Sequence, residues 1–127
     1  MDGMIDIQLD STRLEPGAKL TGEATVGAPS RGADSVAVSL LWFTAGKGTE
    51  DVEVVEEVHH NMPVGRVPIR FQLPNFPWSF SGTLVSLVWA VEVRFEPKGA
   101  VDRVEIVVAP GQEEIRLDAL HHGTAPT

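Results

Sequence analysis

The residues in this sequence best suited to chemistry are its histidines and the glutamates near the first of them. They are His59-His60, His121-His122, Glu56 and Glu57. Imidazole and carboxylate groups are common metal ligands. Adjacent residues on an extended strand point to opposite faces, however, so one His-His pair does not easily supply two ligands to the same ion. We therefore interpret the histidines as solvated side chains in a turn and in a tail, and we predict no metal or other cofactor.

Acidic side chains crowd the stretch 50–57. They are Glu50, Asp51, Glu53, Glu56 and Glu57. Such a cluster could bind a cation or a basic partner. Charged side chains are also a common means of keeping an exposed sheet edge from aggregating. We favour a solvated strand face or a protected edge over a ligand site.

Ser79 is the residue most suggestive of a nucleophile, because it lies in a proline-rich loop. No histidine or other base is near it in the sequence, although a triad assembled from distant residues stays open. The hydroxyl is better suited to capping a free backbone group in that loop. No glycine-rich phosphate loop precedes a helix, and the histidine and glutamate spacing of cupin metal sites is absent. We therefore predict that the protein is not an enzyme, and a cupin-like enzyme is the least favoured function.

The elements that would position these residues are organised around the stretch 83–96, the longest alternating run in the chain. Its apolar residues fall on one side of a period-two pattern: Val85, Leu87, Trp89, Val91, Val93 and Phe95. The opposite side is small or apolar before Glu92 and Arg94, which predicts a central strand buried on both faces in its first half. The loop before it contains Pro74 and Pro77, which end one strand and stiffen the crossing.

Shorter alternating runs predict further strands at 5–9, 20–26, 35–44, 50–59, 66–73 and 104–108. Gly22 indicates a bulge or a close approach to a large neighbour, and the doublet Val54-Val55 indicates a bulge. No stretch has the 3.6-residue period of a helix. The 127 residues therefore predict an all-β fold, an antiparallel, immunoglobulin-like β-sandwich of about seven to eight strands. We assign 1–111 to this domain and 112–127 to a tail that either adds one short strand at 114–117 or docks onto the domain, and that then becomes disordered.

Charge and composition exclude several function classes. The net charge of −8 disfavours sequence-independent binding to nucleic acid, because a polyanion is repelled. The chain has no cysteine for disulfides or thiolate metal sites. Its first residues, 1–4, do not match the pattern of a signal peptide, so we expect none, and no segment has the roughly 20 consecutive apolar residues of a membrane-spanning helix. We therefore expect a cytoplasmic protein with no integral membrane segment.

Three segments carry a resemblance to a known family. They are Pro16-Gly17 with the following strand to Val26, the loop Phe71-x-Leu73-Pro74-x-x-Pro77-x-Ser79-x-x-Gly82, and Val88–Val93. In order and spacing they resemble the arrestin-like sandwich of arrestins, the arrestin-like subunit of retromer, and bacterial sporulation-control proteins. The resemblance implies a single arrestin-like lobe, whereas classical arrestins have two. The receptor-phosphate sensor of visual arrestins has no counterpart in this sequence.

The favoured function is a non-catalytic scaffold or adaptor that binds other proteins through an exposed sheet edge or through loops. Edge strands also make a homo-oligomer plausible. Five residues are candidates for partner binding: Phe76, Trp78, Phe80, Arg66 and Arg70. For the three aromatic residues, covering the open end of the sandwich is the favoured alternative to binding. The other function considered is a sandwich that binds calcium or a glycan with the acidic strand 50–57 and the aromatic loop 76–80.

Overall fold

The computed structural model describes residues 4–27, 32–46, 50–61, 65–82 and 84–116. These residues form ten strands. Their bounds are β1 Ile5–Leu9, β2 Arg13–Leu14, β3 Lys19–Val26, β4 Ser35–Gly46, β5 Val52–Asn61, β6 Gly65–Gln72, β7 Phe80–Ser81, β8 Val85–Glu96, β9 Val101–Val108 and β10 Ile115–Arg116. A single 3-10 turn, Pro110–Gln112, is the helical structure in this part of the chain.

The strands form two sheets. The smaller sheet is antiparallel and has the order β1-β3-β6. The larger follows the path β10-β7-β8-β4-β5, and β9 adds to β8 while β2 adds to β9. Two short pairings, β2 with β9 and β10 with β7, are parallel. The fold is therefore an all-β sandwich, as the alternating sequence pattern predicted, and β2, β7 and β10 are two-residue additions to the main strands.

The hydrophobic core lies between the two sheets. Its largest fully buried side chains include Trp89, Leu20, Leu40, Ile69 and Leu73. Burying one leucine or isoleucine side chain contributes about 1.5–3 kcal/mol to the stability of the fold. The core residues come from the main strands of both sheets, so the packing of the sheets against each other supplies most of the apolar burial.

The central strand is β8, which pairs with β4, β7 and β9. Its position was predicted correctly, but the region buried on both faces is its middle. Trp89, Ala90 and Val91 are fully buried, whereas Leu84 and Val85 are 67% and 40% exposed. The start of the strand is exposed because it extends to the end of the sandwich, where β7 pairs with it at Leu87.

Gly22 accommodates a close approach between β1 and β3. A Cβ added at this position would lie 2.4 Å from the carbonyl oxygen of Gln8 and 2.8 Å from the Cα of Leu9. The pairing of β1 with β3 is regular through Gly22. Of the two predicted alternatives, the close approach is confirmed and the bulge is wrong.

The predicted bulge in β5 is confirmed. Leu40 pairs with Glu56 and Leu41 pairs with Val54, so Val55 is the extra residue. The valines of β5 are exposed on both faces of the strand. The face toward the core is exposed for a tertiary reason: β1 contacts β9 and β8, so the three-stranded sheet ends on the β4 side and does not reach over β5.

Candidate functional site

The outer edge of β5 is the longest open sheet edge in the described structure. On one side β5 pairs with β4, and no described strand pairs with its other side. In an antiparallel pair, half of the backbone N–H and C=O groups of an edge strand point away from the partner. These groups can accept another strand.

Exposed valines flank these backbone groups. Their exposed fractions are 60% for Val52, 47% for Val54, 40% for Val55 and 37% for Val58. Val52 and Val54 pair with Phe43 and Leu41, whereas Val58 pairs with Val38. The edge therefore presents apolar surface on both faces of the sheet.

A charged network fastens β5 to the centre of the sheet. Arg94 of β8 donates to Glu57 of β5 at 2.9 Å and to Glu96 at 3.1 Å. The Ser39 hydroxyl of β4, which is buried, donates to the same Glu57 oxygen at 2.7 Å. The hydrogen bonds from Ser39 and from Arg94 hold the pKa of Glu57 below its ordinary value. Glu57 is therefore ionised at neutral pH. Its contacts with Ser39 and Arg94 join three strands: β5, β4 and β8.

His59 joins the same network. Its Nε2 lies 3.1 Å from Glu57, and its Nδ1 lies 2.9 Å from Glu96. His59 and His60 lie within β5, so the prediction that this pair occupies a turn is wrong. The second pair, His121-His122, lies outside the described residues. Among those that the structure describes, no group of three or more His, Asp or Glu side chains is placed to hold a metal ion.

Ser79 is a structural residue in the described fold. Its side chain is buried, and its hydroxyl oxygen accepts a hydrogen bond from the backbone N–H of Val108 at 2.9 Å. The backbone N–H of Ser79 in turn donates to the Val108 carbonyl oxygen at 2.8 Å. The hydroxyl caps a backbone group as predicted, but that group belongs to β9 and not to the proline-rich loop, so the contacts tie the loop to β9.

The aromatic residues of this loop divide into two groups. Phe76 and Trp78 stack with ring centroids 6.0 Å apart and are 72% and 36% exposed. The Trp78 indole N–H donates to the carbonyl oxygen of Asn75 at 2.7 Å. Phe80 is partly buried against the core. The prediction that all three cover the open end of the sandwich is therefore wrong for Phe76 and Trp78, which face solvent.

Arg66 and Arg70 lie on the outer face of the small sheet, because Val67, Ile69 and Phe71 alternate with them into the core. Together with Lys19 and Glu23 they line a groove with a volume of about 1030 Å3. The guanidinium of Arg66 lies 3.6 Å from Glu23. The stacked pair Phe76 and Trp78 is not part of this surface. The five predicted binding residues therefore do not form one described surface, and their role stays a prediction.

Sequence reasoning placed a solvated face or a protected edge at 50–57 but did not single out β5 as the binding edge. It also did not indicate that the valines of this strand are exposed. One usable signal is the bulge doublet Val54-Val55, because bulges occur often at sheet edges. A second is the placement of Glu92 and Arg94 in an otherwise apolar strand.

The fold is shared with a solved structure. Spo0M, a sporulation control protein from Bacillus subtilis, superposes with a TM-score of 0.60 at 17% sequence identity. The match covers 84% of this chain and 49% of the Spo0M chain, so this chain spans about half the length of that protein. The arrestin-like sandwich expected from the sequence is therefore confirmed as the fold.

A second similar structure is a β-glucosidase from Listeria innocua in complex with gluconolactone. It has a TM-score of 0.45 and 18% identity, and the match covers 88% of this chain but only 16% of the enzyme. A likeness this weak supports no functional argument. No protein-family model matches the chain, and no curated protein matches it in sequence. Within the described residues, no helix is long and apolar enough to cross a membrane.

Proposed function

We propose that the protein is a non-catalytic adaptor or scaffold domain that binds another protein along the outer edge of β5. The observation that carries the proposal is the exposure of four valines on a ten-residue strand whose outer edge pairs with no strand that the structure describes. Proteins commonly protect such an edge, because its free N–H and C=O groups attract other strands. An extended segment that adds to β5 would satisfy these groups and cover the valines.

Other open edges in the described part of the sandwich are less suited to strand addition. The small-sheet edge β6 contains Pro68, which has no N–H to donate. Its opposite edge, β1, has five residues. On the far side of the large sheet, β9 is contacted by β1 and pairs at its end with β2. The β5 edge is longer than β1, has no proline, and is uncovered on both faces.

The charged network supports a preformed binding edge. Arg94 and Ser39 hold Glu57 from the neighbouring strands, so β5 keeps its extended shape before a partner arrives. A rigid template loses less conformational entropy on binding than a flexible loop. The fold is also that of a protein named for control of sporulation, which is consistent with a regulatory, non-enzymatic role.

Site-specific crosslinking tests the proposal. The chain has no cysteine, so Val54→Cys provides a single attachment point for a photo-crosslinker. The matched control is Val101→Cys, which is 57% exposed at the start of β9. We expect light-dependent coupling to another protein in an extract of the source cell from position 54 and not from position 101. Equal coupling from both positions, coupling from 101 alone, or none at either would contradict the proposal.

A second candidate is a glycan-binding sandwich, favoured by the exposed stack of Phe76 and Trp78. Exposed aromatic rings present flat apolar faces on which a sugar ring can pack. A glycan array screened with the protein and with Trp78→Ala separates the candidates. Binding that depends on Trp78 would support the glycan function, and an array without signal would remove it.

A further inference from the structure

We infer that the occupant of the β5 edge is an extended, basic segment of another protein. This inference rests on the proposed function and names the chemistry of the partner. The juxtaposition behind it has three parts: an open backbone edge, exposed valines on both faces, and carboxylates on the same strand. The first two attract any extended segment. The third selects among such segments by charge.

The carboxylates of β5 differ in how far they are neutralised. Glu57 has Arg94 and His59 as charged neighbours. Glu53 and Glu56 are exposed, and neither forms an ion pair with any residue that the structure describes. The pairing of Glu53 with Trp42 and of Glu56 with Leu40 places both on the core side of the strand, where the small sheet does not cover them.

A basic segment complements this arrangement. Lysine or arginine side chains on an added strand would lie opposite Glu53 and Glu56, and opposite charges across a strand pair are favourable. β-Branched side chains at alternate positions would pack on the exposed valines. The net charge of −8 also steers a cationic segment toward the domain and increases its rate of association.

A second copy of the chain is a poorer occupant. Antiparallel pairing of two β5 strands near the middle of Val52–Asn61, centred on Glu56, places Glu56 of one copy opposite Glu56 of the other, because residues opposite each other lie on the same face of the sheet. Like charges directly opposite one another destabilise a strand pair. Two domains that each carry a net charge of −8 also repel as they approach. Charge therefore favours a different, basic chain over self-association.

A labelled peptide measures this preference directly. The probe is a fluorescein-labelled, twelve-residue peptide in which lysine alternates with valine and threonine. One comparison peptide replaces every lysine with glutamate, and a second keeps the lysines but carries N-methyl groups on alternate backbone amides. Fluorescence anisotropy gives the affinity, and amide chemical shifts of the labelled protein locate the contact. We expect the basic peptide to bind and to shift β5 amides, and both comparison peptides to bind at least about tenfold more weakly.

Variants separate local recognition from the charge of the whole domain. Glu53→Gln with Glu56→Gln removes two β5 carboxylates. The control, Glu105→Gln with Glu113→Gln, removes two exposed carboxylates elsewhere. At low ionic strength we expect the β5 pair to weaken binding by about three- to tenfold and the control to change it less than about twofold. Equal losses, or equal binding of the lysine and glutamate peptides, would overturn the inference.

The outcomes distinguish this inference from the proposed function. If position 54 couples to another protein but the peptides show no charge preference, the edge is a docking site and the inference of a basic partner is wrong. If coupling from position 54 yields a crosslinked dimer of this chain, and sedimentation shows a dimer, the occupant is a second copy and the inference fails. If position 54 couples to nothing and no β5 amide shifts, both proposals fail.

Discussion

Arg94 on β8 and Glu57 on β5 are separated by strand β4, yet their side chains meet with an N–O distance of 2.9 Å. The Ser39 hydroxyl of β4 lies beneath them and contacts both, at 3.2 Å from Arg94 and 2.7 Å from Glu57. This arrangement connects the central strand to the exposed edge. It is possible because Ser39 pairs with Glu57 on one side and with Glu92 on the other, and Arg94, two residues from Glu92, lies on the same face of the sheet.

Removing the Glu57 charge is expected to weaken the fold at neutral pH. Glu57→Gln should lower the free energy of unfolding by about 1 kcal/mol, because Arg94 and Ser39 each lose a charged hydrogen-bond partner. The folded-state pKa of Glu57 is lowered from its ordinary value of 4.5. Its stabilisation is therefore complete above about pH 4.5 and is lost as the pH falls through the folded-state pKa.

Urea denaturation of the wild type and Glu57→Gln at several pH values checks this expectation. The difference between their unfolding free energies should shrink on acidification below about pH 4.5. The control Glu105→Gln, at an exposed position on β9, should show a smaller difference at every pH. A Glu57→Gln difference that stays constant down to strongly acidic pH would show that its charge does not stabilise the fold.

Ser79→Ala is expected to destabilise the protein by about 1–3 kcal/mol. The buried Val108 N–H would lose its 2.9 Å contact to the Ser79 hydroxyl, and a buried donor without a partner is costly. The matched control is Ser11→Ala, because Ser11 hydrogen-bonds to Arg13 at the surface. Thermal and urea unfolding should show a large loss for position 79 and less than about 0.5 kcal/mol for position 11. Similar values for the two would remove the structural role assigned to Ser79.

Gly22→Ala is expected to cost about 1–3 kcal/mol or more, because the added Cβ would meet backbone atoms of β1 at 2.4 and 2.8 Å. Backbone atoms cannot move aside as a flexible side chain can. Gly65→Ala is an informative comparison: its φ is +97°, and nothing lies within 4 Å of an added Cβ. That variant should lose about 1 kcal/mol from left-handed backbone strain alone. A smaller loss at position 22 than at position 65 would contradict the close approach of β1 and β3.

Phe76→Ala is expected to change stability by less than about 0.5 kcal/mol, because the side chain is 72% exposed. Trp89→Phe should instead cost about 2–4 kcal/mol. It leaves a cavity at a fully buried site and removes the 2.9 Å hydrogen bond from the indole N–H to the Pro77 carbonyl. Chemical denaturation of both variants checks the contrast. A large loss for Phe76→Ala would restore the interpretation that this ring covers the core.

The sequence predicted those features of the fold that depend only on neighbouring residues in the chain. Alternation placed the inward residues of β6, because each buried apolar side chain there follows an exposed residue. The doublet at Val54-Val55 located the bulge, since an extra residue must interrupt a period of two. A capping role for the Ser79 hydroxyl was predicted, because a serine hydroxyl in a loop can bond a free backbone group, and it bonds the Val108 N–H.

The same rules do not reveal what lies above a strand. Val58 and Val67 each occupy an alternating run and face the core side, yet Val58 is 37% exposed and Val67 is 2% exposed. The difference is that the small sheet has three strands and ends before it covers β5. Similarly, Phe76 and Phe80 belong to one aromatic cluster in the sequence, and only Phe80 packs on the core.

By itself, then, the sequence determined an all-β sandwich, the central strand β8, the bulge in β5 and the absence of cysteine chemistry, because these follow from residue type and local period. Only the tertiary structure decided that β5 is an uncovered edge and that Arg94 reaches Glu57 across β4. The physical reason is that burial and ion pairing depend on which strands become neighbours. That order is set by the packing of whole sheets and cannot be read from any one strand.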